Sequence, residues 1–291
     1  MHFVQAKSLI SSKNGMNLYR GCTHGCIYCD SRSKIYNMNH DFEDIEVKQN
    51  SLELLKKALK SKKEKCMIGT GSMTDPYVPL ESKLEFVRNS LKLIYRYGFG
   101  FTCITKSDLI LRDLDLLKKI NEKAKTVVQI TLTTADEDLC RKIEPNVCTT
   151  KRRVEVLKKL NEANIPTVVW LTPFLPYIND TEENINELLD YCIETNVKGI
   201  ICFNIGLTLR DGNRQYFYRK LDESFPGLKS RYIEKYGSNY VLESENNRQL
   251  MDLFYKKTAE NNILNKPDDV FRYLRDFPNK DKSRQSTLYF N

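Results

Sequence analysis

The sequence predicts an α/β fold: six strand–helix units whose parallel strands close partly or wholly into a barrel. Two observations carry this. Short apolar, β-rich segments recur at intervals of roughly 30 to 45 residues, the length of one strand plus its return helix. Amphipathic helical patterns fill the gaps between them.

In chain order the strands are expected at Met16–Arg20, Lys65–Gly69, Phe99–Thr105, Thr126–Thr133, Thr167–Thr172 and Gly199–Ile205. Between them, Leu84, Val87, Leu91 and Ile94 keep one helical face, as do Ile110, Leu114 and Leu117. Ile185, Leu188, Leu189, Cys192 and Ile193 form the cleanest such face. Thr134 with Glu137, and Asp180 with Glu183, read as capping boxes. In the fourth strand Val128, Ile130 and Leu132 point one way, and Gln129, Thr131 and Thr133 point toward the barrel interior. A polar inward face is costly unless it meets a ligand, water or its own hydroxyls. After Ile205 the pattern weakens: 207–240 is rich in Arg, Tyr and Phe, 243–262 reads as a final helix, and the tail from Lys266 is charged. There is no internal repeat, low-complexity tract or linker. One domain over 1–291 is expected, with a barrel core of about 14–206 and a C-terminal extension of about 207–291.

Composition narrows the class. With 291 residues the chain can bury a proper core, and 41% hydrophobic with 29% charged residues is ordinary for a soluble protein. No apolar run serves as a signal peptide or spans a bilayer, so a cytoplasmic protein without membrane attachment is expected. The net charge of +8 suits either a polyanionic partner or a solvated lysine-rich surface. The basic runs at 60–65 and 151–153 lack the aromatic interleaving of a nucleic-acid module. Only His2, His24 and His40 are present, which argues against a histidine-based hydrolase or a His-rich metal site.

Cysteine usage is more telling. Cys66, Cys103, Cys140, Cys148, Cys192 and Cys202 are scattered singly, as small buried hydrophobes are. Cys22, Cys26 and Cys29 lie within one short loop, C-x3-C-x2-C, directly after the first expected strand. Gly21 and Gly25 permit the tight turns needed for three thiolates to converge on one centre. An iron–sulfur cubane held by three cysteines keeps one iron open, where a substrate or cofactor can chelate. Structural zinc prefers paired CxxC elements and four protein ligands, and here the fourth would be His24 or a remote cysteine. Two functional classes follow: an iron–sulfur enzyme, or a zinc-stabilised nucleic-acid-binding protein without catalysis.

The motif, with Tyr28 before its last cysteine, resembles the signature of the radical S-adenosylmethionine (SAM) superfamily. Four further segments, 69–77, 104–107, 141–145 and 173–180, resemble its spore photoproduct lyase-like, DNA repair photolyase-like subgroup. The resemblance covers about 14–260 and implies a partial (β/α)6 TIM-like barrel with its site at the C-terminal ends of the strands. It implies that Cys22, Cys26 and Cys29 ligate a [4Fe–4S] cluster and that S-adenosyl-L-methionine chelates the open iron. Reductive cleavage of SAM would then give a 5′-deoxyadenosyl radical that abstracts hydrogen from a substrate, with DNA or RNA a candidate. The reductant would be reduced flavodoxin or ferredoxin.

By the same resemblance, Tyr28 lies near the adenine, and Gly71 and Ser72, with Asp75 as a further candidate, meet the methionine amino group. Lys106 and Ser107 meet the methionine carboxylate, and Thr131 and Thr133 contact ribose or methionine. Each has a plainer reading as core aromatic, turn glycine, solvated lysine or hydroxyl layer. Arg141 and Glu144 read as an ion pair closing the loop after the fourth strand. Cys140 and Cys148 flank that loop and are candidate hydrogen donors, although packing thiols are the commoner case. Two departures stand against photoproduct cleavage. Thr70-Gly71-Ser72 occupies the place of the lyase's donor cysteine, and Asp30 stands where the lyase has a tyrosine.

Overall fold

The computed structural model describes residues 1–278. The chain begins with a small sheet in which β3 (Glu46–Lys48) lies between a parallel β1 (His2–Val4) and an antiparallel β2 (Tyr19–Arg20). Then α1 (Ser51–Ser61) leads into β4 (Met67–Thr70), and α2 (Glu81–Leu84) and α3 (Phe86–Tyr97) return to β5 (Gly100–Thr105). Next, α4 (Leu114–Lys123) precedes β6 (Thr126–Thr131), and α5 (Glu137–Ile143) and α6 (Thr150–Glu162) precede β7 (Thr167–Trp170). The last return, α7 (Glu182–Glu194), reaches β8 (Gly199–Ile201). The extension holds β9 (Gly206–Thr208), α8 (Asn213–Ser224), α9 (Leu228–Tyr236), β10 (Val241–Glu243), α10 (Asn247–Glu260) and α11 (Pro267–Arg275).

Strands β4 to β8 form one parallel sheet in sequence order, as right-handed β–α–β crossovers require. The first expected strand is split. Met16 N–H donates to the Gly69 carbonyl at 2.7 Å and Gly69 N–H to the Asn14 carbonyl at 3.0 Å, so 14–16 lines the edge of β4 as a short parallel bridge. Tyr19 and Arg20 instead pair with β3, because that lets the Tyr19 ring bury fully and its hydroxyl reach Glu81 Oε2 at 2.5 Å. The barrel is therefore partial: five regular strands and one bridged segment.

Alternation along the strands sorts the side chains. Val128, Ile130 and Leu132 join the large core under the helices. The inward positions change with height, because each step of two residues along a strand moves one layer up. At the base, Met67, Val127, Val168 and Ile201 close over Val270 and Leu274 of α11. One layer up, the Gln129 amide donates to Thr102 Oγ1 at 2.7 Å and its oxygen accepts from Trp170 Nε1 at 2.8 Å. Above that lie Thr131 and the functional site.

Two helix starts differ from expectation. Asp136, not Thr134, caps α5, because the Thr134 hydroxyl accepts from Asp136 N–H at 3.3 Å while the Asp136 carboxylate takes the first helical N–H groups of Asp138 and Leu139. Thr181, not Asp180, caps α7, because Asp180 is taken up by the Ser244 hydroxyl. The expected final helix at 243–262 begins at Asn247, and Glu243 belongs to β10. The charged tail contains α11, which seals the barrel base; Lys125 Nζ donates to the Tyr273 and Asp276 carbonyls at 2.6 and 2.9 Å. The tail beyond residue 278 lies outside the described residues. Among the described residues no helix is long and apolar enough to cross a membrane.

A candidate active site at the barrel mouth

A cavity of about 750 Å³ opens at the C-terminal ends of the strands. Its wall includes the cysteine loop, the turn after β4, the end of β5, Thr131, and the β9–β10 edge. That volume is in the range of small-molecule and cofactor sites.

The cysteine loop is clamped from three sides. Gly21, at φ 89°, lies so close to the Phe42 carbonyl that a Cβ there would stand 2.5 Å from its oxygen. Cys22 N–H donates to the same carbonyl at 2.9 Å, and Ile27 N–H donates to the Ile143 carbonyl at 3.0 Å. Cys26, Ile27 and Tyr28 pack into a second core with Phe217, Leu221 and Tyr232 of the extension. The extension therefore holds the loop as well as following the barrel.

Burial pushes the Cys26 thiol up to about 12 and raises Cys22 further, so both stay protonated until a metal displaces the proton. The three thiols all face the cavity. Among the described residues the one His/Cys/carboxylate trio with ligand atoms mutually within 4.8 Å is His2, His40 and Asp44, so the loop sulfurs are spread wider. Four ligands around a single zinc, at about 2.3 Å each, would put sulfurs only about 3.8 Å apart. The wider spread suits a cubane, whose cysteines each take a different iron. The donor set fits the group.

Beneath the loop lies a buried ion pair that the sequence did not disclose. Glu144 accepts from the Tyr28 hydroxyl and pairs with Arg153 Nη2 at 2.6 Å, with both side chains fully enclosed. Arg153 also donates to the Cys148 and Thr131 carbonyls at 2.9 and 3.1 Å. Burial works to raise the Glu144 carboxyl, but Arg153, then Lys106, outweigh it and hold it below the ordinary range. Burial and the Glu144 charge push the Tyr28 phenol well up, so it is a donor. The expected Arg141–Glu144 pair does not form. Arg141 meets Asp138 at 2.9 Å on the surface. Arg153 had read as part of a basic surface run, yet it shares one face of α6 with Val156, Leu157 and Leu160. That spacing was the signal that could have found it.

The other expected contacts divide. Gly71, at φ 98°, sits so close to β5 that a Cβ would stand 2.2 Å from the Ile104 carbonyl oxygen, and with the exposed Ser72 it faces the cavity. Asp75 lines the cavity, but its oxygens are used internally: they accept from Thr105 Oγ1 at 2.7 Å, Lys106 N–H at 2.8 Å and Tyr77 N–H at 2.9 Å. His24 Nδ1 lies 3.5 Å from Asp75, and burial lowers its basicity. Lys106 enters the cavity near the Tyr28 ring, 5.6 Å from its centroid, and no carboxylate among the described residues pairs with it. Burial opposes its charge, but the neighbouring negative groups, the loop cysteines once deprotonated and the ionised Glu144, outweigh that, and its basicity is raised. Thr131 lines the cavity. Ser107 and Thr133 do not. Ser107 accepts from Leu109 N–H at 3.3 Å and borders a separate groove with Cys148, and the buried Thr133 hydroxyl lacks a hydrogen-bond partner. Cys140 is buried against Glu144 and Thr150, and Cys148 points to the Lys106 carbonyl; neither lines the cavity.

The rim adds residues absent from the sequence reading. Phe203, 55% exposed, packs edge-on to Trp170 at 6.2 Å. Across the opening, Tyr240 is 45% exposed, lies under Arg210 and accepts from its Nη2 at 2.6 Å. Asp30 is engaged by the Tyr36 hydroxyl at 2.7 Å and by Arg210 at 3.7 Å.

Known proteins share this architecture. A spore photoproduct lyase bound to a dinucleoside spore photoproduct superposes with a TM-score of 0.63, at 14% identity, covering 89% of this chain and 78% of that one. SuiB of Streptococcus suis, bound to S-adenosylmethionine, gives 0.54 at 14% identity, covering 87% and 49%. At such identities the likeness is one of fold. In sequence, an uncharacterized protein of Methanocaldococcus jannaschii is 34% identical over 186 residues, 63% of this chain and 69% of the relative. One of Mycobacterium tuberculosis is 29% identical over 229 residues, 76% of this chain; the match spans 66% of that relative's length. The Radical SAM family model matches residues 16–192, from the bridged first strand into α7, and with more than half of its length inside that match the chain belongs to the radical SAM superfamily.

Proposed function

We propose that the protein generates a 5′-deoxyadenosyl radical at the barrel mouth and uses it to abstract hydrogen from a substrate seated against Phe203 and Tyr240. Its cofactors are those of its superfamily, a [4Fe–4S] cluster and S-adenosyl-L-methionine. Bound and reduced, they supply the radical by cleaving the sulfonium carbon–sulfur bond. Cys22, Cys26 and Cys29 hold the cluster. The single observation that carries the reading is that these three thiols and the Lys106 ammonium, which no carboxylate pairs directly among the described residues, face one cavity.

This chain's residues bind and orient. Lys106 offers a charge-assisted contact to the methionine carboxylate. Gly71 and Ser72 present backbone and hydroxyl to the amino group, while Asp75 fixes the turn they stand on by binding Thr105 and Lys106 N–H. Thr131 reaches the ribose or methionine. The Tyr28 ring borders the adenine, held in place through Glu144. Reduced flavodoxin or ferredoxin delivers the electron. At the rim, the exposed Phe203 ring and the Tyr240–Arg210 stack offer aromatic and cationic contacts, which favour a nucleic acid or nucleotide.

Thr70-Gly71-Ser72 offers no thiol to return a hydrogen atom, so the reading excludes photoproduct cleavage by a donor at that turn. Anaerobic reconstitution with iron and sulfide, then dithionite and SAM, should release 5′-deoxyadenosine. A Cys26→Ala variant should lose both cluster absorbance and product. Product formation by that variant, or none from protein with a verified cubane and candidate substrates, would overturn the proposal.

A further inference from the structure

We propose a second metal site, outside the barrel, in which His2, His40 and Asp44 bind a divalent transition cation of the zinc(II) class. The site is built by the small N-terminal sheet. β1 pairs with β3 so that His2 lies opposite Glu46, and the turn closed by Asp44 N–H to the Asp41 carbonyl at 3.0 Å brings His40 and Asp44 beside it. One ligand atom from each of His2, His40 and Asp44 lies within 4.8 Å of the others. The His2 and His40 rings meet edge to face at 4.8 Å, and His2 Nδ1 is 2.8 Å from Asp44 Oδ2.

The independent pointer is His40. Its Nδ1 lies 3.0 Å from the Asp41 carbonyl, an acceptor only, which fixes the proton there and leaves a lone pair on Nε2. Nε2 is buried and has no hydrogen-bond partner. Metal-bound histidines are held in this way, one ring nitrogen on a backbone carbonyl and the other on the metal. Nearby charge favours a cation: the Glu46 carboxylate stands 3.7 Å from Nε2. The Met1 ammonium is the competing cation, paired with Asp44 Oδ1 at 2.8 Å, and it leaves Oδ2 turned to His2. Two imidazoles with one carboxylate select zinc-like ions over calcium or magnesium, which take oxygen ligands.

Its position gives it a task. The segment between His40 and Asp44 carries Phe42, whose carbonyl accepts from Cys22 N–H and closes over Gly21. A metal at His2, His40 and Asp44 would brace that segment and, through it, the cysteine loop. The claim does not depend on the radical chemistry.

The test uses the full chain with Cys22, Cys26 and Cys29 changed to Ala, so that loop thiols cannot compete. Cobalt(II) should bind at one equivalent with visible d–d bands, no sulfur-to-cobalt charge transfer, and displacement by zinc(II). His40→Gln or Asp44→Asn should weaken binding at least tenfold and abolish the rise in thermal midpoint that zinc(II) gives. Should either variant fail to fold, His2→Gln, at a position more exposed than His40, takes its place. Should the triple-alanine chain fail to fold, cluster-loaded wild type should retain one zinc beyond its iron after gel filtration. No binding by folded protein, or binding that none of these substitutions changes, overturns the proposal.

Discussion

The two ends of the barrel interior are built from the same strands and do opposite things. At the base, Met67, Val127, Val168 and Ile201 meet Val270 and Leu274 of α11, and the space is filled by apolar side chains. At the mouth, two layers up, Thr131 and Lys106 face three thiols across an open cavity. Gln129, bonded to Thr102 and Trp170, separates the two regimes. A polar inward face is affordable only where a ligand or a paired network meets it. The base supplies rigidity so that the mouth can hold polar groups not yet satisfied by protein.

The mouth is sustained by the Glu144–Arg153 pair, and breaking it should have the largest effect on stability. Glu144→Gln strands the buried Arg153 charge and should cost about 3–5 kcal/mol, read as a lowered denaturation midpoint. Replacing both residues by apolar ones of similar volume should recover most of that loss. If Glu144→Gln is neutral, the mouth does not rest on this pair. Acid sharpens the point. The Glu144 carboxyl is depressed on folding, so its contribution is full above the ordinary carboxylate range and fades as pH falls through its lower folded value. Wild type should therefore destabilise on that acid limb more steeply than Glu144→Gln, and parallel pH profiles of the two proteins would count against the assignment.

At the base, Leu274→Ala should cost about 2–4 kcal/mol by opening a cavity beneath the sheet. Product formed per bound iron should be unchanged at a temperature where the variant is folded. A loss of activity per iron would mean that the two ends are coupled and not merely stacked.

The smallest effect belongs to a single cavity contact. Lys106→Met should weaken SAM binding to cluster-loaded protein about tenfold, some 1.4 kcal/mol, measured by equilibrium dialysis. An affinity within twofold of wild type would move the carboxylate contact elsewhere on the wall.

Cysteine spacing, strand recurrence and helical periodicity are local, and the sequence by itself determined them: the C-x3-C-x2-C loop, the order of the five parallel strands after the split first one, and the polar face at Gln129 and Thr131. The reading lost accuracy wherever a partner comes from far along the chain. Tyr19 left the barrel edge because β3 and Glu81 offered its backbone and hydroxyl better partners. Ser107, adjacent to Lys106 in sequence, turned to cap Leu109, since neighbours at a strand's end point to opposite sides. Arg153 looked solvated until α6 packed against β7, its guanidinium reached the Thr131 carbonyl and Glu144 came under Tyr28. The tail after Lys266 did carry a readable helix signal, with Pro267 at its start, Asp268 and Asp269 in its first turn and Val270 and Leu274 on one face, but that this face seals the barrel base is decided only by the tertiary structure. Short-range pattern set the chemistry of the loop. Only the tertiary structure decided which buried charges stand behind it, because a charge is buried only when a partner distant in sequence arrives to pair with it.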